Sequence, residues 1–276
     1  MTKGTEIIAR FERFASPQLA ESWDHSGLQI GNPDQPVHKV MTTLDVRPAV
    51  VDEAIDQGVD FIFAHHPVMF KPAKDLDTRN PQNAMYAKLL AHQITVYAAH
   101  TNLDTANGGM NDWLADQLGL NNTTPLVEAG YDPITGQPVG MGRIGDLKES
   151  LSVSDFAKHC LTSFGVTGLR VVTPTPAPAS IKRVAILGGS GSEFYLNAQQ
   201  KGAQAYVTGD VSYHTAHTAH DAQASGVVLV DPGHHIEAVA IDQLANLLQN
   251  WQQEHQWSIT LYRSRVNTEP FQFVTK

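Results

Sequence analysis

Cysteine is almost missing from this chain of 276 residues: Cys160 is the single one, which excludes an intrachain disulfide and any fold built on disulfide staples. It stands in Val153-Ser154-Asp155-Phe156-Ala157-Lys158-His159-Cys160-Leu161, where apolar residues recur at helical spacing, so the thiol is expected to be a packed core group rather than a nucleophile. Long hydrophobic runs are missing too. No stretch approaches about 18 consecutive apolar residues, so there is no candidate membrane helix. Met1-Thr2-Lys3-Gly4-Thr5-Glu6 lacks the apolar segment of a secretion signal, and the expectation is a cytoplasmic protein with no membrane partner. Positive charge is scarce: 19 Lys and Arg stand against 28 Asp and Glu, a formal charge of -9. Without clustered cations to meet phosphates, nucleic acid is not an expected partner. The apolar share of 42% suffices for an ordinary core, in one large domain or two modest ones.

What is present is a rhythm. An apolar helical pattern (Ile7, Ile8, Phe11, Phe14, Ala15) leads to Pro17, and Trp23 to Gly31 is expected to be a loop with a short strand. Strands at Val40–Asp45, Val59–Ala64 and Ile94–Ala99 then alternate with helices at Pro48–Gln57, Asn83–Ala91 and Gly109–Leu118, which predicts βαβ units and a mainly parallel sheet. From Asn121 to Gln137 the periodicity lapses among Asn, Thr, Pro and Gly, so a domain boundary is expected near Leu126. A second unit follows, with the Cys160 helix, strands at Leu169–Val172, Val184–Leu187 and Ala205–Thr208, and a helix from Glu193 to Lys201. The last part holds a strand Val227–Val230, a helix Glu237–Gln249 and a strand near Ser258–Tyr262.

Polar residues gather where these strands end. Asp45, the pair His65-His66, His100, Asp210, and Asp231 with His234 all follow an apolar strand, and in open α/β sheets the crevice outside the carboxyl ends is where ligands bind. Two adjacent imidazoles offer two metal ligands. Because consecutive residues of an extended chain project to opposite sides, the rings of His65 and His66 are expected to serve a close pair of ions rather than one. His100 and Asp104 lie four residues apart, on one face of a helical turn; Asp104 is the stronger ligand candidate, with an N-cap before Gly108–Leu118 as the alternative. His234 and Glu237, three apart at a strand-to-helix turn, add a third imidazole and a second carboxylate. The metal set is therefore His65, His66, Asp104, His234 and Glu237, a mixture of nitrogen and oxygen suited to zinc, iron or manganese. Asp210, His214 and His100 are the candidates for proton transfer or positioning, while His217 and His220 are assigned to a solvated helix face. Gly188-Gly189-Ser190-Gly191-Ser192 follows a strand and opens a helix, so a phosphate cradle and a bare turn are both open readings.

These segments in order, Trp23-Asp24-His25-Ser26-Gly27-Leu28-Gln29-Ile30-Gly31, Ala64-His65-His66-Pro67, His100-Thr101-Asn102-Leu103-Asp104, Gly209-Asp210 with His214, Asp231-Pro232-Gly233-His234-His235-Ile236-Glu237 and Thr268-Glu269-Pro270-Phe271-Gln272-Phe273, resemble the Nif-three-like family of dinuclear metal proteins, also labelled type-two homologues of GTP cyclohydrolase I. The resemblance spans nearly the whole chain. It implies two divalent ions per chain on His65, His66, Asp104, His234 and Glu237, with Glu237 bridging. It also implies an α/β fold of two domains with mainly parallel or mixed sheets, residues 1–125 plus 226–276 forming the metal-binding domain and 126–225 the inserted one, and a ring-shaped homohexamer. His25 departs from the family, which more often has Asn there, and the larger middle insertion of some relatives is lacking. The expected function is a metal-dependent hydrolase acting on a nucleotide or related small molecule; the alternative is a ring-forming, non-catalytic metal-binding regulator.

Overall fold

The computed structural model describes residues 1–221 and 226–274. The chain is α/β with two mixed sheets and divides into two compact units, residues 1–103 with 238–268, and residues 104–237 with 269–276. The second interrupts the first. The sequence reading placed the transitions at 125/126 and at 225/226, and residue 225 lies outside the described residues.

In the first unit the elements run α1 (Gly4–Glu12), β1 (Gly27–Ile30), β2 (Lys39–Thr43), α2 (Pro48–Asp56), β3 (Phe61–Ala64), α3 (Pro81–Ala91), β4 (Thr95–Ala98) and α4 (Thr101–Thr105), whose last two residues already count with the second unit. Its strand order is β1-β4-β3-β2, completed by the late strand β11 (Thr260–Arg263). β2, β3, β4 and β11 are parallel, and β1 runs antiparallel at the edge. Both faces are covered, which is why β3 reads as an unbroken apolar run, Phe-Ile-Phe-Ala, with every residue buried. The alternation sorts side chains by face: Met41, Ile62 and Val96 pack with Val50, Val51 and Ala54 of α2 and Leu89 of α3. Phe61, Phe63 and Tyr97 turn the other way, where Phe11 of α1 meets Phe63 at 4.9 Å and Trp251 of the late helix at 6.4 Å, both edge to face.

The second unit continues with α5 (Met110–Gln117), β5 (Asn121–Tyr131), β6 (Pro138–Leu151), α6 (Val153–Phe164), β7 (Arg170–Val172), β8 (Ile181–Ser190), α7 (Tyr195–Gln200), β9 (Ala205–Gly209), α8 (Tyr213–Asp221) and β10 (Val228–Asp231). A 3-10 turn, His234–Ala238, leads into α9 (Val239–His255), where the chain has re-entered the first unit. Among the described residues the second sheet has order β5-β6-β8-β9-β10-β7, with parallel β8, β9 and β10 flanked by antiparallel strands.

The stretch Asn121–Gln137, where periodicity lapses, is one arm and the turn of a long antiparallel hairpin, β5 against β6. Its sequence hides this because β5 is an edge strand with only Leu126 buried, so it carries no alternating core pattern and tolerates Pro125. The turn is closed by Asp132, whose Oδ1 accepts from the amides of Ile134 and Thr135, and by Gly136 at φ 68°. Cys160 is fully buried on α6, and burial pushes its thiol up to about 12, as expected of a packing residue. Among the described residues no helix is long and apolar enough to cross a membrane.

Candidate metal centre

In the first unit the ligand candidates stand where the parallel strands stop. Beyond Ala64 the backbone of β3 keeps its ladder for two more residues, His65 N donating to Thr43 O (3.1 Å) and His66 N to Leu44 O (3.0 Å), and then bends toward Pro67. The two rings do not point to opposite sides as a strand would send them; their centroids are 4.8 Å apart, because both residues lie past the last strand residue, in the bend. Each ring is held through Nδ1. His65, fully buried, donates to the carbonyl of Ala99 at 2.6 Å. His66 Nδ1 lies 2.8 Å from Asp45 Oδ1, while the other oxygen of Asp45 accepts from Thr268 Oγ1 at 2.5 Å. A carbonyl or carboxylate can only accept, so the Nδ1 proton is fixed and Nε2 carries the lone pair a metal needs.

His100 follows the same pattern one strand over. Its Nδ1 lies 2.7 Å from Asp24 Oδ1, and its ring centroid is 5.5 Å from that of His65 and 5.6 Å from that of His66. The Asp24 side chain has 0% exposure. Burial alone would raise its carboxyl, but hydrogen bonds from His100, from Ser26 Oγ (2.5 Å) and from Thr101 Oγ1 (2.6 Å) outweigh it and hold the group well below the usual carboxylate range. Asp24 was missed in the sequence because the loop between Trp23 and Gly31 has no periodicity to mark which polar residue turns inward.

In the second unit, Asp210 Oδ2 lies 2.7 Å from His234 Nδ1, and His234 Nε2 lies 3.1 Å from Glu237 Oε2. Asp210 adopts φ 53°, a left-handed conformation that Asp tolerates better than most residues. Asp231, buried at the end of β10, accepts from the amides of Val211 (3.0 Å) and Gly233 (2.9 Å) and pairs with Arg170. Its carboxylate thus ties together the two loops that carry Asp210 and His234. Glu237 is 2% exposed.

The glycines near the end of β8 make room for this carboxylate. A Cβ on Gly188 would fall 2.7 Å from Glu237 Oε1, and one on Gly189 would fall 3.0 Å from the same atom and 3.3 Å from His234 Nε2. This segment is not an open anion cradle. Gly188 N donates to Asn111 Oδ1 and Gly191 N to Thr208 Oγ1, each at 3.0 Å.

Asp104 lies in α4, and the helix after it is capped by Gly109, so Asp104 does not serve as that cap. His214 is exposed on α8 with its ring beside Tyr213 at 5.9 Å, and His217 and His220 are exposed on the same helix, as a solvated face would be. The first unit thus offers the imidazoles of His65 and His66 as ligands, and the second offers the carboxylate of Glu237. Imidazoles and a buried carboxylate are donors that fit borderline divalent ions, so these residues could bind a metal.

Comparison with known proteins agrees with the motifs. Residues 2–270 match the family described as Duf34/NIF3 (NGG1p interacting factor 3). A Streptococcus pneumoniae protein named GTP cyclohydrolase 1 type 2 homolog is 39% identical over 272 residues, covering 98% of this chain and 99% of that one. A Bacillus subtilis protein of the same name is 30% identical over an alignment of 372 residues, longer than this chain, with 98% of each covered. Among solved structures, a Bacillus cereus protein related to NIF3 superposes with a TM-score of 0.91 at 30% identity, over 99% of each chain. The chain belongs to the Duf34/NIF3 family.

Proposed function

We propose that the chain is a metal-dependent hydrolase that holds two divalent ions, zinc, iron or manganese, on His65, His66, Asp104, His234 and Glu237, and cleaves a nucleotide or related small molecule. The observation that carries this reading is the pair His65 and His66, whose ring centroids lie 4.8 Å apart just past the end of β3. The oriented histidines support it further: the Nδ1 atoms of His65, His66 and His234 are each engaged by a carbonyl or carboxylate at 2.6–2.8 Å, an arrangement that a merely solvated imidazole has no need of.

Bound divalent ions would supply a lowered pKa for a coordinated water and polarisation of the bond under attack. The protein's own groups do the rest. Asp45 and Asp210 set the tautomers of His66 and His234, and the buried carboxylate of Glu237 would help hold the ions and offset their charge. His100, its Nδ1 proton directed at the ionised Asp24, keeps Nε2 able to accept a proton beside the histidine pair. Asp210 and His214 remain candidates for proton movement on the substrate side. The relatives' printed name directs the first substrate trials to GTP, with phosphodiesters as the second class. The family resemblance carries the assembly, a ring-shaped homohexamer.

The test is turnover of GTP and of a phosphodiester by metal-loaded protein. Hydrolysis of either that disappears in Glu237→Gln, while oligomer mass and melting profile survive, is the expected result. Activity unchanged in that variant would refute the catalytic reading.

A further inference from the structure

Trp23 and Phe70 are large aromatic residues left 54% and 51% exposed, and their rings touch each other with centroids 6.1 Å apart. Scattered apolar residues on a surface need no explanation, but two aromatic rings paired beside a histidine cluster do. Trp23 is in edge contact with His100 (6.0 Å, 77°), and His100 in turn packs against His65 and His66 at 5.5 and 5.6 Å. The exposed pair is therefore the outer end of an unbroken line of ring contacts that reaches the proposed ligands.

The indole is also held in place. Directly after it, Asp24 is anchored by Ser26, Thr101 and His100, and its amide donates to Glu21 O at 2.9 Å. Just before it, Glu21 N donates to Thr101 Oγ1 at 2.9 Å. A ring fixed on both sides of its backbone yet open on its outer face is preorganised to stack against a ligand, with little ordering cost on binding. Flat heteroaromatic rings are the partners such a surface favours, since any base offers a π-face while a saturated sugar does not.

We propose that Trp23 and Phe70 form the specificity platform of the site, receiving a planar heteroaromatic ring of the substrate so that its reacting bond lies over the histidine cluster. This rests on the hydrolase reading and adds the residues that would receive the flat nitrogen heterocycle of its substrate.

The platform is tested by calorimetric titration of the full chain, metal-loaded and metal-stripped, with GMP and with ribose 5-phosphate, which shares the sugar phosphate but lacks the ring. Wild type is expected to bind GMP more tightly than ribose 5-phosphate. Trp23→Ala and Phe70→Ala should weaken GMP by about tenfold or more, Trp23→Phe should stay within about threefold of wild type, and ribose 5-phosphate should be indifferent to all three. Metal content should not change in any variant. The platform is overturned if wild type binds GMP no better than ribose 5-phosphate or does not bind it at millimolar concentration. It is equally overturned if Trp23→Ala binds GMP normally, including the case where the substitution alters only oligomer mass and so marks a contact between copies of the chain. Ring-dependent GMP binding by a chain that takes up no metal would sustain the platform and sink the hydrolase reading alone.

Discussion

Replacing Gly188 by alanine adds one methyl group, and the structure says where it goes. The new Cβ would lie 2.7 Å from Glu237 Oε1 and 2.8 Å from Leu114 Cδ1. Gly188 is not in the left-handed region, so the substitution carries no backbone strain, and its effect is steric. To restore ordinary contact the carboxylate must retreat by roughly 0.7 Å, and it is nearly fully buried with little room to do so. Overpacking of this kind costs about 1–3 kcal/mol of stability. A displacement approaching an ångström at a ligand carries a second cost: disturbing the groups that orient metal ligands lowers metal affinity by about 10–100-fold. The assay is competition for zinc against a chromophoric chelator, together with melting of the metal-free protein, which separates the two costs. A Gly188→Ala protein that keeps wild-type zinc affinity would refute the idea that this glycine exists to seat Glu237.

Two further outcomes follow from groups away from the ligands. Arg143, 2% exposed, pairs with Asp112 through both its Nε (2.6 Å) and Nη2 (2.7 Å) and donates to the carbonyls of Gly140, Gly142 and Ala106; Arg143→Met should lower the urea-derived stability by about 3–5 kcal/mol, and a loss under about 1 kcal/mol would show the network to be dispensable. The depressed carboxyl of Asp24 contributes stability above its ordinary value of 3.8 and loses it as pH falls further, because the unfolded chain then binds the extra proton; stability should decline there by up to about 1.4 kcal/mol per pH unit from this group. Asp24→Asn should flatten that acid limb in denaturant titrations below pH 3.8, and an unchanged slope would contradict the assignment.

Most of the first sheet was readable because burial on both faces writes itself as short apolar runs: Phe61–Ala64 and Thr95–Ala98 announce themselves, and the residues just past them, His65, His66 and His100, stand out as polar interruptions. The hairpin of Asn121–Tyr131 and Pro138–Leu151 was not, since an edge strand is held by backbone pairing and leaves its side chains free to be polar. The ligand candidates could be named from residue type, yet the orienting groups could not. The carbonyl of Ala99 has no residue signature at all, Asp24 reaches His100 across 76 positions, and the purpose of Gly188 depends on Glu237, met only after folding. The left-handed Asp210 was visible as a strand-end carboxylate, but its partner, His234, is 24 residues away.

The central proposal is that His65, His66, Asp104, His234 and Glu237 hold a pair of ions, and elemental analysis of the purified chain, run beside Glu237→Gln, tests it most directly. The account predicts about two divalent ions per chain in wild type and loss of both in the variant, with the fold intact. A wild-type chain reconstituted with zinc, iron and manganese that retains none of them, or a variant that retains the full complement, would contradict it.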